Sequence, residues 1–298
     1  MYHDRLHAGS SVDFWEGNWE ATHFEDGVRF SVVDPLRPLF EENLKPDSRM
    51  LEGGCGIGNY VSYYAARGHD VIGLDFAQRA LTTLARRQPN LKLIAGDVAE
   101  LPFPDESFDL YYSGGVVEHF EGGAEQSLRE ARRVLKKDGV LLISVPYYSP
   151  LRRLLTPFRK AEWRVVDRSQ IDGDEGFNGR MFFQFAYRRR EFVRMLNNAG
   201  LRVSSTQGYA VLWGLYDLRS INRSGNHEFA SRMPSTNENG NVVEGGCIDM
   251  EPLIAERDLS LIKRLVVSED SSVPILGLGV KFLRWAVANM MMYVCERD

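Results

Sequence analysis

Three short apolar runs, each closing on an acid or a glycine turn, constrain this chain more than any other feature in it. The first is Met50-Leu51-Glu52, followed by Gly53-Gly54-Cys55-Gly56-Ile57-Gly58. The second is Val71-Ile72-Gly73-Leu74-Asp75, and the third is Leu91-Lys92-Leu93-Ile94-Ala95-Gly96-Asp97. Each is the length of a buried strand, and each interval between them has room for one helix. Strands that deliver acids and glycines at their carboxyl ends build a ligand crevice along one edge of a parallel sheet.

The alternation continues downstream. The pattern predicts strands at 50–52, 70–75, 92–94, 108–113 and 140–145, with helices at 60–67, 77–87 and 126–135 between them. Lys136-Lys137-Asp138-Gly139 reads as the turn before the fifth strand. A helix at 190–198 leads to a sixth strand at 201–203, and 290–295 supplies a seventh. Short β-α connections of this kind give an α/β fold, a doubly wound Rossmann-like sheet of seven mainly parallel strands. Residues 32–43 read as a further helix, with Pro35 and Pro38 either in its first turns or breaking it.

Four segments follow from this reading. Residues 1–44 form an aromatic, helical lid segment containing Phe14, Trp15 and Trp19, which either packs on the main domain or closes over its crevice. Residues 45–148 are the cofactor-binding core. Residues 149–188 are an aromatic insertion at the functional rim, a lid for an acceptor. Residues 189–298 complete the sheet, interrupted by a polar insertion at about 218–272 whose stretch 224–246 is dense in Ser, Asn, Gly and charge.

Composition excludes several classes. A net charge of −5 gives no basic field for nucleic acid, and Arg188-Arg189-Arg190 reads as a solvated helix face. Cys55, Cys247 and Cys295 are odd in number and far apart, which argues against a disulfide framework or a zinc cluster and suits a reducing cytoplasm. His3 and His7 have helical metal-ligand spacing but no evident third ligand, so no metal is expected. The apolar stretch 273–294 carries Lys281, Arg284 and Asn289, which speaks against a membrane span. It reads as an amphipathic helix at 280–288 and then a strand. Phe282 and Trp285 allow the helix a peripheral contact with a membrane surface.

The glycine turn reads Gly54-x-Gly56-x-Gly58, and the third glycine of a dinucleotide fingerprint would fall at Asn59. A glycine turn before a helix ordinarily welcomes phosphate. Glu52 beside it would repel one: like charges about 4 Å apart cost roughly 4 kcal/mol at an effective dielectric near 20. A cationic, phosphate-free nucleoside turns the repulsion into attraction, and S-adenosylmethionine, with its sulfonium and ammonium, is such a molecule. Asp75 is placed to accept two ribose hydroxyls or, alternatively, to cap the next helix through 76–78. Asp97 and the Val98 amide are placed for the adenine edge, Asp97 having a turn role as its alternative.

These residues together resemble the class I S-adenosylmethionine-dependent methyltransferases, in particular the branch with ubiquinone- and menaquinone-type and small-molecule enzymes. Leu51-Glu52-Gly53-Gly54-Cys55-Gly56-Ile57-Gly58, Gly73-Leu74-Asp75, Gly96-Asp97-Val98, Leu101-Pro102-Phe103, Ser107-Phe108-Asp109, Gly115-Val116-Val117-Glu118-His119 and Leu135-Lys136-Lys137-Asp138-Gly139 carry the resemblance. It implies an antiparallel last strand and cofactor contacts from Glu52, Gly54, Cys55, Gly56, Asp75, Phe76, Asp97 and Val98. The expected reaction is in-line transfer of a methyl group to oxygen or nitrogen of a small organic acceptor. His119 is the catalytic base or else a scaffold beneath the cofactor, and Trp15, Tyr147 and Tyr148 are placed to face the acceptor, Tyr147 and Tyr148 being equally readable as core of the aromatic insertion. A lipid-linked or quinone-like acceptor, and a methyltransferase-like binding protein without catalysis, are the other readings. The oligomeric state is not legible.

Overall fold

The apolar runs become strands because their side chains can be buried on both faces, which a parallel sheet flanked by helices requires. In the computed structural model, residues 2–6, 11–20, 22–158, 163–164, 180–219, 250, 260–272 and 276–298 are described. The chain runs β1 (Tyr2–Leu6), α1 (Val12–Glu20), α2 (Phe24–Ser31), α3 (Arg37–Asn43), β2 (Arg49–Gly53), α4 (Asn59–Ala66), β3 (Asp70–Asp75), α5 (Gln78–Arg87), β4 (Lys92–Ala95) and β5 (Phe108–Gly114). It continues through α6 (Glu125–Val134), β6 (Leu135–Pro146), α7 (Pro150–Leu155), β7 (Trp163–Arg164), β8 (Arg180–Phe185), α8 (Arg189–Asn198), β9 (Leu201–Tyr209), α9 (Val211–Arg219), α10 (Leu261–Val266), α11 (Leu276–Val287) and β10 (Met290–Arg297).

Seven strands form one sheet in the order β4-β3-β2-β5-β6-β10-β9. The pairings from β4 to β6 are parallel, and β10 runs antiparallel to both β6 and β9. On one face Phe40, Tyr63, Tyr64 and Tyr112 pack with Met50 and Leu110. On the other, α6 and α8 cover Leu51, Tyr111, Leu141 and Tyr293. The turn predicted at 136–139 is a bulge within β6: Phe108 faces Leu135 and Leu110 already faces Val140, so four residues loop out, and Lys136 Nζ reaches Asp109 at 2.8 Å.

Three expectations need correction. The helix predicted over 32–43 is broken, and helix resumes only at Arg37 with Pro38 in its first turn. Pro35 cannot donate a backbone hydrogen bond, and the Asp34 carboxylate instead accepts from the Leu36 amide at 2.7 Å. The N-terminal segment is not wholly helical, since β1 pairs with β7 and β8 in a separate three-stranded sheet. Tyr2 to Leu6 being extended, His3 sits on a strand; His7 lies outside the described residues. The C-terminal helix begins at Leu276 rather than 280. The polar stretch 224–246, Cys247 and residues 159–162 and 165–179 of the aromatic insertion lie outside the described residues. Cys55 and Cys295 are free and buried.

Candidate functional site

β2 and β5 are neighbours in the sheet, so the turns leaving their carboxyl ends lie side by side. The glycine turn after β2 holds Gly54 at φ 78° and Gly56 at φ 51°, conformations that cost a residue with a Cβ. Nor is there room for one. A Cβ on Gly54 would lie 2.3 Å from Val116 Cγ2, and one on Gly56 would lie 2.6 Å from the Trp19 indole. The first contact joins the glycine turn to the Val116-His119 segment, and the second lays α1 over it.

The amides of this turn are not bare, as the sequence suggested. Gly54 and Cys55 both donate to the Leu74 carbonyl, at 2.7 and 3.0 Å, and Gly56 donates to Asp75 Oδ2 at 2.7 Å. Phosphate is therefore disfavoured twice, by occupied donors and by acids. Glu52 is buried and accepts from the Val61 amide at 2.8 Å, capping the first turn of α4. Burial pushes its carboxyl up to about 8; the amide bond opposes this and the nearby Asp75 adds to it. Asp75 is also raised above its ordinary value, first by burial and against the pull of its amide bonds. Asp75 Oδ1 accepts from Ala77 at 2.8 Å, so the capping role foreseen as its alternative is real. A carboxylate has acceptor sites beyond these two bonds.

Glu16 is an acid the sequence reading passed over. It is buried on α1, accepts from the Arg79 amide at 3.1 Å and lies 3.2 Å from the Arg79 guanidinium. Its charge contributes to the rise at Asp75. Glu16, Glu52 and Asp75 thus ring the glycine turn, and neither Glu52 nor Asp75 has an ion pair among the described residues. Such a ring fits a cation. Asp97 is exposed and accepts from Ala99 at 2.8 Å in its own turn, and Val98 is buried behind it. Phe76 stands partly exposed next to Asp75. The Cys55 side chain turns inward, with Sγ close to Gly73, and burial raises its thiol well above the usual range.

After β5 the chain makes a short helical turn, Val117–His119. His119 Nδ1 lies 2.7 Å from the Phe183 carbonyl. A carbonyl only accepts, so Nδ1 carries the hydrogen and, in the neutral ring, Nε2 is the basic nitrogen. Trp15 and Phe183 stand edge-on to the imidazole at 4.8 and 4.9 Å, which makes α1 and β8 the walls around it. Tyr147 and Tyr148 are both buried; Tyr148 donates to Thr156 Oγ1 at 3.0 Å, and Tyr147 packs in the main core.

Glu118 was the second omission. It is buried, its Oε2 has no hydrogen-bond partner, and its Oε1 lies 3.9 Å from His119 Nε2. Burial pushes its carboxyl up to about 8. The folded state therefore holds a proton that the unfolded chain releases once pH exceeds the ordinary glutamate value, so this group lowers stability as pH rises from about 4.5 to about 8. Glu118→Gln should remove that slope. Its melting temperature relative to the parent is expected to climb across this window, by the equivalent of on the order of 1 kcal/mol or more. A difference independent of pH would mean that Glu118 is ionised in the folded protein.

Sheet order, a glycine turn ringed by acids and a histidine at the neighbouring strand end are the arrangement expected of a class I S-adenosylmethionine-dependent methyltransferase domain. Residues 51–143 match the family described as methyltransferase domain. A probable S-adenosylmethionine-dependent methyltransferase of Mycolicibacterium smegmatis is 35% identical over 132 residues, 43% of this chain and 51% of that protein. Demethylmenaquinone methyltransferase of Renibacterium salmoninarum is 37% identical over 117 residues, 38% of this chain and 48% of that one. Malonyl-[acyl-carrier protein] O-methyltransferase of Erwinia pyrifoliae is 32% identical over 130 residues, 43% and 47% of the two chains. The chain spans about half the length of the curated relatives it matches.

Proposed function

We propose that this protein transfers a methyl group from S-adenosylmethionine to an oxygen or nitrogen atom of a small organic acceptor, with His119 as the base. The observation that carries the proposal is the His119 ring, oriented by the Phe183 carbonyl, beside a buried carboxyl with an unpartnered oxygen. The acid ring around the glycine turn supports the cofactor assignment: Glu52 for the ammonium, Asp75 for the ribose hydroxyls, Asp97 and Val98 for the adenine edge. When bound, S-adenosylmethionine supplies an electrophilic methyl group. The work left to the chain is to hold an acceptor in line, exclude water and remove a proton.

Trp15, Trp19 and Phe183 provide the dry walls. Nε2 of His119 takes the acceptor's proton, and the Glu118 carboxyl 3.9 Å away stabilises the resulting imidazolium once ionised. Trp15 is the group placed to touch the acceptor, with Tyr147 and Tyr148 supporting the rim from below. The relatives whose names give an acceptor name different ones, a demethylmenaquinone and a malonyl-acyl-carrier protein. The acceptor class here therefore rests on the site alone.

Glu52 gives a test that needs no acceptor. Its carboxyl is mostly protonated below about 8, and a bound cation would ionise it. Titration with S-adenosylmethionine in a calorimeter at neutral pH should release about one proton per ligand, read from the dependence of heat on buffer ionisation enthalpy. Affinity should rise by up to roughly tenfold per pH unit as pH approaches the Glu52 value from below. Glu52→Gln should lose both effects. Heats that do not depend on the buffer would detach Glu52 from the cofactor, and absence of binding would overturn the proposal. A screen of metabolite extracts for labelled methyl transfer then identifies the acceptor.

A further inference from the structure

Thirteen large apolar side chains are exposed among the described residues, and eleven of them fall on α7, α9, α10 and α11. On α11, Leu278, Phe282 and Trp285 are 73%, 61% and 58% exposed at i, i+4 and i+7, one face of the helix. Val280 and Val287 are buried on the opposite face. The Phe282 and Trp285 rings lie 5.8 Å apart. Ile262 of α10 and Leu154 of α7 are 72% and 67% exposed. α11 packs against α7, α9 and α10, so the four helices that carry these side chains are contiguous. Apolar exposure concentrated in this way marks an interaction site.

The charge of the surface identifies its partner. The chain as a whole carries −5, yet α7, α9, α10 and α11 carry seven basic residues and one acid, Asp217. Arg264 pairs with Asp270 at 2.6 Å and Arg284 with Glu269 at 3.3 Å, pairs that brace the 269–270 connection against both helices. Arg153, Lys263 and Lys281 are exposed and have no ion pair among the described residues. Exposed aromatics and leucines among uncompensated cations match the boundary of an anionic bilayer, where the rings enter the acyl edge and the cations meet lipid phosphate.

We propose that the face formed by α7, α9, α10 and α11 docks the protein on an anionic phospholipid surface. No helix among the described residues is long and apolar enough to cross a membrane, so the contact is peripheral. The location gives it a purpose, resting on the methyltransferase reading above. α11 runs into β10, whose Met290 pairs with Pro146 at the carboxyl end of β6, and α7 starts four residues further on. Arg152 donates to the carbonyls of Tyr147 and Asn289 at 3.0 and 3.2 Å, tying α7 to the end of α11. The docking face thus borders the rim where the acceptor enters, and an acceptor dissolved in the bilayer reaches the site without crossing water.

Flotation with vesicles tests this without any acceptor. The full chain should rise with phosphatidylcholine vesicles containing phosphatidylglycerol, bind phosphatidylcholine alone far more weakly, and lose part of its binding in high salt. Phe282→Ser combined with Trp285→Ser should cut the partition coefficient by about a hundredfold, a factor of ten for each ring. Lys281→Glu should weaken binding to the anionic vesicles only. Affinity for S-adenosylmethionine and the melting temperature of each variant should stay at parental values. A parent chain that remains with the dense fraction in both lipids overturns the docking proposal while leaving the methyltransferase reading intact. Sedimentation that shows a dimer dispersed by the double substitution, with no vesicle binding, assigns the face to a second copy instead and equally overturns it. Loss of cofactor binding with flotation retained would strike the methyltransferase reading alone.

Discussion

Asp75→Ala is expected to weaken S-adenosylmethionine binding by about two to four orders of magnitude, because the ribose assignment gives it two hydrogen bonds to a charged acceptor worth roughly 1.5–3 kcal/mol each. The same carboxylate accepts from Gly56 at 2.7 Å and Ala77 at 2.8 Å, so the substitution also loosens the glycine turn. Two further measurements separate these effects. Asp75→Asn retains an oxygen for one of the amides and should melt closer to the parent while still binding the cofactor poorly, since a neutral amide is a weaker partner for paired hydroxyls. S-adenosylhomocysteine, which keeps the ribose but lacks the sulfonium charge, should lose the same factor as S-adenosylmethionine. If Asp75→Asn binds both ligands as the parent does, Asp75 serves only the turn and the start of α5, and the ribose assignment is wrong.

Much of this site was legible because its signals are local. Apolar runs with acids and glycines at fixed offsets located β2, β3 and β4 to within two residues, and the period of 3.6 located α4, α5, α6 and α8 equally well. What escaped is tertiary. Nothing in the residues around Glu16 says that α1 will lie over the glycine turn and cap α5 through the Arg79 amide, a contact across 63 positions. Glu118 stands beside a histidine that drew attention for its ordinary pKa, whereas the burial that changes Glu118 is visible only once the sheet is assembled. The pairing of β1 with β8 joins segments nearly the full length of the core apart, beyond the reach of any periodicity argument. The electrostatic reading of the glycine turn was partly wrong about the site. Glu52 was taken as a fixed charge that repels phosphate from the turn, but it is a buried, raised carboxyl, and the amides of the turn are already engaged.

His119→Ala should lower kcat by about 10²- to 10⁴-fold, the usual contribution of a positioned base, with cofactor affinity unchanged. The geometry explains why the loss should fall on turnover. The Phe183 carbonyl fixes the Nδ1 hydrogen, the Trp15 and Phe183 rings pin the imidazole plane, and Nε2 lies 3.9 Å from Glu118 Oε1. A scaffold histidine would also reduce turnover when removed, so the pH profile decides. With a base, the parent rate falls on the acid side as the imidazole takes up a proton, and the profile of His119→Gln, whose amide can still donate to Phe183, should be flat there. Glu118→Gln should leave the acid limb in place, because Glu118 is protonated below about 8 and gives the imidazolium no counter-charge there. It should also remove any change in rate near pH 8, where the Glu118 carboxyl ionises. An acid limb that survives in His119→Gln would place the titrating base elsewhere, and parental turnover in that variant would reduce His119 to a wall of the pocket.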